Sequence, residues 1–180
     1  SRDWSSDVCS SDLFLPEGVA SDAVTAFCGQ ALQAGDHIRQ GALTLRCLPF
    51  IPQTDYDKLL WSCDLNLVRG EDSFVRAQLA GKPFLWHIYP QDENLHHKKL
   101  KAFLQIYCPQ HPLLRDMMLG WNHASAQAPD WSVLWSQLLQ TFPAMQASAE
   151  DWLQQIHDSG DMCSQLLQFC SSKTGNSGQK

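Results

Sequence analysis

The stretch VRGEDSFVRAQLAGKPFLWHIYPQ, from Val68 to Gln91, holds the side chains best suited to chemistry in this sequence. Gly70 permits a tight turn from a strand into a helix. Backbone N–H groups at Asp72, Ser73 and Phe74 then project from the helix N-terminus, where unpaired donors and the helix dipole favour a phosphate anion. Ser73 adds a hydroxyl donor, and Arg69 can neutralise a further phosphate oxygen. A carboxylate repels phosphate, so Glu71 suits sugar hydroxyls or a cationic acceptor instead. Phe50 and Gln53, in PFIPQ, set an aromatic face beside an amide, a pair that can stack on a nucleobase and read its edge. Tyr89, in HIYPQ, can bring a hydroxyl to a phosphate or a ribose. Plain structural roles compete at each position: Asp72 or Ser73 as a helix cap, Arg69 in a surface ion pair, Glu71 as a solvated loop acid, Phe50 as core. The GEDS turn alone is neither a P-loop nor a GxGxxG fingerprint.

Other clusters carry less chemistry. His96, His97, Lys98, Lys99 and Lys101 read as a solvated basic helix face, and adjacent histidines on a helix do not converge on one metal ion. His87 reads as a strand histidine with a local partner. Trp131 and Trp135 read as core or as an interdomain contact. The 7 cysteines are scattered without a CxxC, which fits reduced, core-filling thiols better than a disulfide framework or a zinc site.

These residues need elements to hold them. A weak helical pattern runs from Ala20 to Leu32. Leu43 to Leu48 fits a buried strand, and Thr54 an N-cap with Asp57 three residues on. Tyr56, Leu59, Leu60 and Cys63 then mark a short amphipathic helix. Leu65 to Val68 and Phe84 to Tyr89 are further strand candidates, with a helix over Phe74–Ala80 between them, stopped by Gly81 and Pro83. Leu100, Phe103, Leu104 and Tyr107 share a helix face. After a loop rich in proline and polar residues, helical patterns run from Trp131 to Phe142, from Trp152 to Ile156, and on to Cys170 after Gly160. Strands alternating with helices imply a parallel sheet covered on both faces. The expected architecture is an α/β, Rossmann-like domain with a helical C-terminal appendage. Ligands in such sheets lie beyond the carboxyl ends of the strands. Phe50–Gln53, Arg69–Ser73 and Tyr89 all fall at such ends.

Composition narrows the class. The 180 residues carry a formal net charge of −6 and are 44% apolar. One ordinary domain with a sizeable core is expected. The acidic balance gives no footprint for nucleic acid. No apolar run approaches a membrane span, and no basic segment followed by an apolar stretch marks a signal peptide. Residues 1–13, SRDWSSDVCSSDL, are dense in serine and aspartate, lack helical or strand periodicity and resemble adapter read-through; with no initiating methionine, the chain is expected to be a fragment. Trp4 and Cys9 are therefore set aside from the fold. Residues 14–170 are expected to form the domain, and 171–180 a solvated tail.

The run LPFIPQTDYDKLLWSCDLNLVRGEDSFVRAQLAGKPFLWHIYPQ resembles the C-terminal nucleotide-binding domain of the EarP family, bacterial protein-arginine rhamnosyltransferases acting on translation elongation factor P. The strong likeness covers Leu48 to about Tyr107, and the chain from Phe14 to about Phe169 is compatible with it. PFIPQ, VRGEDSFVRAQ and WHIYPQ are specific in combination. The resemblance implies a GT-B glycosyltransferase of two facing Rossmann-like domains. Such an enzyme moves rhamnose from dTDP-β-L-rhamnose to an arginine guanidinium, with inversion, without a metal or other cofactor, in the cytoplasm. It implies that Phe50 stacks on thymine and Gln53 reads its edge. Arg69 and Tyr89 belong to the nucleotide pocket, Asp72 and Ser73 meet the pyrophosphate, and Glu71 is the critical acid of the turn. The family's N-terminal domain, with its aspartate base, has no counterpart in this sequence, so this polypeptide alone is expected to bind the donor without transferring the sugar. Two other functions fit the residues: a GT-B half with a lipid or glycan acceptor, and a nucleotide-sugar-binding module without catalysis.

Overall fold

A computed structural model describes residues 11–174. The chain divides into two compact units, one ending at Tyr56 and the other beginning at Asp57. In the first unit, β1 (Ser11–Pro16) lies parallel to β3 (Leu43–Leu48), and β2 (His37–Gln40) lies antiparallel to β3. Helix α1 (Ser21–Cys28) ends where Gly29 turns left-handed at φ 74°, short of the expected Leu32. Leu45 and Cys47 are the buried residues of β3. Helix α2 (Gln53–Ser62) leads from the first unit into the second.

The second unit holds β4 (Asn66–Arg69) and β5 (Phe84–His87), paired in parallel with Arg69 opposite His87. Around them come α3 (Glu71–Leu79), α4 (Leu95–Tyr107), α5 (Pro112–Trp121), α6 (Trp131–Ser159) and α7 (Met162–Thr174). Phe84, Leu100, Met117, Met118 and Leu138 are almost fully enclosed. On one side of β5 the rings interlock. Phe74 stacks on Trp86 at 3.8 Å between centroids and meets Phe103 edge-on at 4.8 Å, and Phe103 stacks on Tyr107 at 5.0 Å. Burial pushes the Tyr107 phenol far above its ordinary pKa, and its hydroxyl bonds to the Phe84 backbone. This aromatic cluster gives α3 and α4 a rigid platform on β5.

Several sequence expectations need correction. The described strands make two small sheets instead of one parallel sheet. Strand β2 (HIRQ) is mostly exposed and polar, so it carries no apolar signal, and the tight turn at Gly41 (φ 60°) returns it antiparallel. Segment 1–13 reads as lacking strand periodicity, yet Ser11–Leu13 pair with Leu43–Leu45 through backbone bonds, which need no side-chain pattern. Residues 1–10, with Trp4 and Cys9, lie outside the described residues. Thr54 is not an N-cap: α2 starts one residue earlier, and the Pro52 carbonyl accepts the first helical bonds, from Asp55 and Tyr56 N–H at 2.9 and 3.1 Å. Helix α3 starts at Glu71, three residues before the expected Phe74.

The expected proline-rich loop contains α5, because Pro112 sits at the helix start, where a missing N–H costs nothing. The last two helical patterns before Gly160 are one helix, α6, running through Pro143. Pro143 is exposed, as is Leu139 one turn before it, so the turn that lacks the proline's N–H faces solvent. The expected tail at 171–180 begins as the end of α7. Cys47 and Cys108 are buried, and burial raises both thiols, Cys108 to about 11, so both match the core-filling expectation. Cys163 and Cys170 depart from the core-filling expectation and are exposed on α7.

Candidate functional site

The carboxyl ends of β4 and β5 carry the strongest cluster. Arg69 ends β4, and Gly70 follows at φ 83°, ψ 178°, a backbone region essentially closed to other residues. The chain enters α3 at once, with no side chain capping the helix. Tyr89 stands two residues beyond β5, 48% exposed. Its ring lies against Gly70, and a Cβ there would sit 2.8 Å from Tyr89 Cε2. The Arg69 guanidinium lies over the same ring, 4.9 Å from its centroid, a cation–π contact. Glycine is thus required twice at this position, by its torsion and by the ring pressed on it.

The first turn of α3 presents its donors as the sequence suggests, displaced by the earlier start. The orphan N–H groups belong to Gly70 through Ser73, and Phe74 N–H falls inside the first intrahelical bond. Glu71 is exposed at the first helical position. The Ser73 hydroxyl donates to the Arg69 carbonyl, so its proton is spent on closing the turn. The Asp72 carboxylate accepts from Arg76 Nε at 2.9 Å, one helical turn on. Arg76 Nη1 also donates to both carboxylate oxygens of Asp57 on α2, each at 2.9 Å. These bonds, to Asp57 foremost and then to Asp72, raise the Arg76 pKa.

Two residues not singled out in the sequence hold this arrangement. Trp86 Nε1–H donates to the Gly70 carbonyl at 3.1 Å, pinning the turn to β5. Asn122 is buried at the end of α5. Its amide nitrogen donates to the Trp86 and Met118 carbonyls, both at 2.8 Å, and its oxygen accepts from Ile88 N–H at 2.9 Å. Asn122 thereby occupies the outer edge of β5 and fixes the strand end that leads to Tyr89. Its only sequence signal is a polar residue closing an apolar helix.

His96 and His97 are not part of a solvated basic face. His96 is buried and accepts from Gln91 N–H through Nδ1 at 3.1 Å, and His97 Nε2 bonds to the Asn122 carbonyl at 2.9 Å. Lys98, Lys99 and Lys101 are exposed. His87, at the tip of β5, packs on Trp121 at 5.3 Å. Partial burial, and then Arg69, His123 and His96, push its pKa below the ordinary histidine value. Trp131 and Trp135 are not core. At 42% and 43% exposed they line a groove of about 830 Å³ with Leu67, Leu85 and Trp121.

Phe50 and Gln53 belong to the first unit, beyond the carboxyl end of β3. Phe50 is 87% exposed, so its aromatic face is not core. Gln53 is the first residue of α2 and is exposed. Among the described residues, no group of three or more His, Cys, Asp or Glu side chains is arranged to hold a metal ion. Among them, too, no helix is long and apolar enough to cross a membrane.

A helix N-terminus directly after a parallel strand is one place where α/β proteins bind phosphate groups; at α3 it is flanked by Arg69 and Tyr89. The chain belongs to the EarP family, described as elongation-factor P (EF-P) rhamnosyltransferases, whose model matches residues 1–171. A protein-arginine rhamnosyltransferase of Pseudomonas aeruginosa is 45% identical over 164 residues, covering 87% of this chain and 42% of the relative. One from Neisseria meningitidis is 41% identical over 145 residues, covering 76% of this chain and 37% of the relative. A solved structure, described as the structural basis for EarP-mediated arginine glycosylation of translation elongation factor EF-P, aligns with a TM-score of 0.74 and 37% identity. The alignment covers 93% of this chain and 54% of that one. The chain therefore spans less than half the length of these curated relatives.

Proposed function

We propose that this chain is the donor-binding, Rossmann-like C-terminal half of an inverting GT-B glycosyltransferase that transfers rhamnose from dTDP-β-L-rhamnose to an arginine of elongation factor P. The observation that carries this reading is the packing of Tyr89 and Arg69 around Gly70 at the mouth of α3. It sets a cation, a phenol and orphan N–H donors about one point. Family membership and the 42% coverage of a protein-arginine rhamnosyltransferase support the same reading.

In this scheme the diphosphate sits on the N-terminus of α3, against the N–H groups of Asp72 and Ser73. The family resemblance assigns Phe50 to stacking on thymine and Gln53 to reading its edge. As the bond from the anomeric carbon to the β-phosphate breaks, negative charge gathers on the leaving oxygen. Arg69 and the helix N-terminus stabilise that charge, and Tyr89 contributes its hydroxyl. Glu71, exposed at the mouth, faces the sugar or the incoming guanidinium. A guanidinium is a poor nucleophile until a carboxylate orients or deprotonates it. The general base is expected outside this chain, in the family's N-terminal domain. No cofactor beyond the donor is required, and the reaction takes place in the cytoplasm, where its protein acceptor works.

The test incubates dTDP-rhamnose and unmodified elongation factor P with this chain and, separately, with the intact protein. Intact protein should add one deoxyhexose to the acceptor by mass spectrometry, this chain none, and intact Glu71→Ala none with unchanged thermal stability. Transfer by the chain alone would refute its assignment as a donor-binding half. An intact protein that binds dTDP but leaves this acceptor unmodified would favour another acceptor or a non-catalytic module.

A further inference from the structure

Two acids, Glu71 and Asp72, open a helix whose N-terminus is assigned above to a diphosphate. Two carboxylates there would repel the ligand. The side chains around Asp72 offer a resolution. Its carboxylate is turned along the helix to Arg76 Nε at 2.9 Å. Arg76 is not held by that contact alone: Nη1 is bonded to both oxygens of Asp57 on α2. The Arg76 side chain is about one-quarter exposed, Asp57 over a third and Asp72 70%. The inner partner therefore fixes the cation, and the cation fixes the outer acid. One planar guanidinium spans both carboxylates through different nitrogens, a geometry a lysine ammonium does not reproduce.

We propose that Arg76 is a positioning residue of the nucleotide site: anchored on Asp57, it draws the Asp72 carboxylate away from the mouth of α3 and neutralises it, so that a diphosphate meets backbone N–H groups instead of a second acid. The inference rests on the donor-binding reading given above. Arg76 touches no substrate in this scheme and acts only through Asp72. Its effect is electrostatic, and it grows with the number of phosphates on the ligand.

Binding of dTDP and of thymidine to the intact protein, measured by isothermal titration calorimetry, tests this. Arg76→Gln should weaken dTDP roughly three- to tenfold, more at low salt, and leave thymidine within about twofold. Adding Asp72→Asn to Arg76→Gln should return dTDP affinity to within about twofold of the parent, because the misplaced charge is gone while the backbone donors remain. Arg76→Lys should fall between parent and Arg76→Gln. Equal weakening of thymidine and dTDP would overturn the inference, since a disturbed fold does not distinguish phosphates. So would an unaffected Arg76→Gln, or a double variant no better than Arg76→Gln. A parent protein that binds thymidine or dTDP not at all would instead remove the donor-binding reading on which the inference stands.

Discussion

Replacing Gly70 with alanine tests the geometry of the site most directly. Gly70 sits at φ 83°, ψ 178°, a region that costs other residues of order 1–3 kcal/mol. The new methyl would also lie 2.8 Å from Tyr89 Cε2. Tyr89 is half exposed, so its ring can swing outward instead of straining the core. Swinging out breaks the cation–π contact with Arg69, worth about 0.5–1 kcal/mol at such a site. Gly70→Ala should therefore destabilise the protein by about 2–4 kcal/mol and lower Tm by roughly 4–15 °C. Thermal unfolding of Gly70→Ala in the parent and in a Tyr89→Ala background separates the two causes. With the ring absent, only the torsional cost of order 1–3 kcal/mol should remain. An unchanged Tm in the parent background would refute the left-handed turn. Identical losses in both backgrounds would refute the ring contact. Calorimetric titration with dTDP should show weaker binding wherever Tyr89 is displaced.

Phe50→Ala should weaken dTDP binding by ~1–3 kcal/mol through lost stacking, with folding stability changed by no more than about 0.5 kcal/mol. Titration calorimetry and urea unfolding measure the two. Asn122→Ala should cost roughly 2–4 kcal/mol in denaturant unfolding, because the Trp86 carbonyl and Ile88 N–H lose their partner in a buried setting. His87 is held below its ordinary pKa by partial burial and by Arg69. The unfolded chain thus takes up a proton at about pH 6.5, before the folded one does. Stability should fall as pH drops below about 6.5 toward the folded pKa, and His87→Gln should flatten that part of the Tm–pH curve.

The sequence made legible what is locally determined. The apolar runs at Leu43–Leu48, Leu65–Val68 and Phe84–Tyr89 each overlap a strand, and Gly70 marks the turn into α3. The residues around that turn are neighbours in sequence or belong to paired strands, so a one-dimensional pattern sufficed. Partnership between strands is not local: β3 pairs with β1 and β2, not with β4, and nothing in its own residues specifies that. Proline misled in both directions. Pro112 begins a helix and Pro143 lies within one, because each occupies a place where its missing N–H is tolerated. The supports of the site leave no local signal because each acts across the chain. Trp86 reaches back to Gly70, Asn122 to β5, and Arg76 to Asp57 on another helix. Asp72 is the instructive case, since its neighbours suggested a cap and its distant context makes it half of an ion pair.

The placement of Asn122 bears on how the protein behaves in concentrated solution. The last strand of a two-stranded ladder normally leaves a row of open peptide groups, onto which a foreign segment can zip and seed aggregates. Here a single carboxamide imitates the missing neighbour, filling the Trp86 and Ile88 positions that an invading chain would need. Removing it would do more than loosen one residue: it would uncover an adhesive border along the end of β5. Self-association, slow precipitation or capture of extended peptides would follow at that border even in molecules that remain folded.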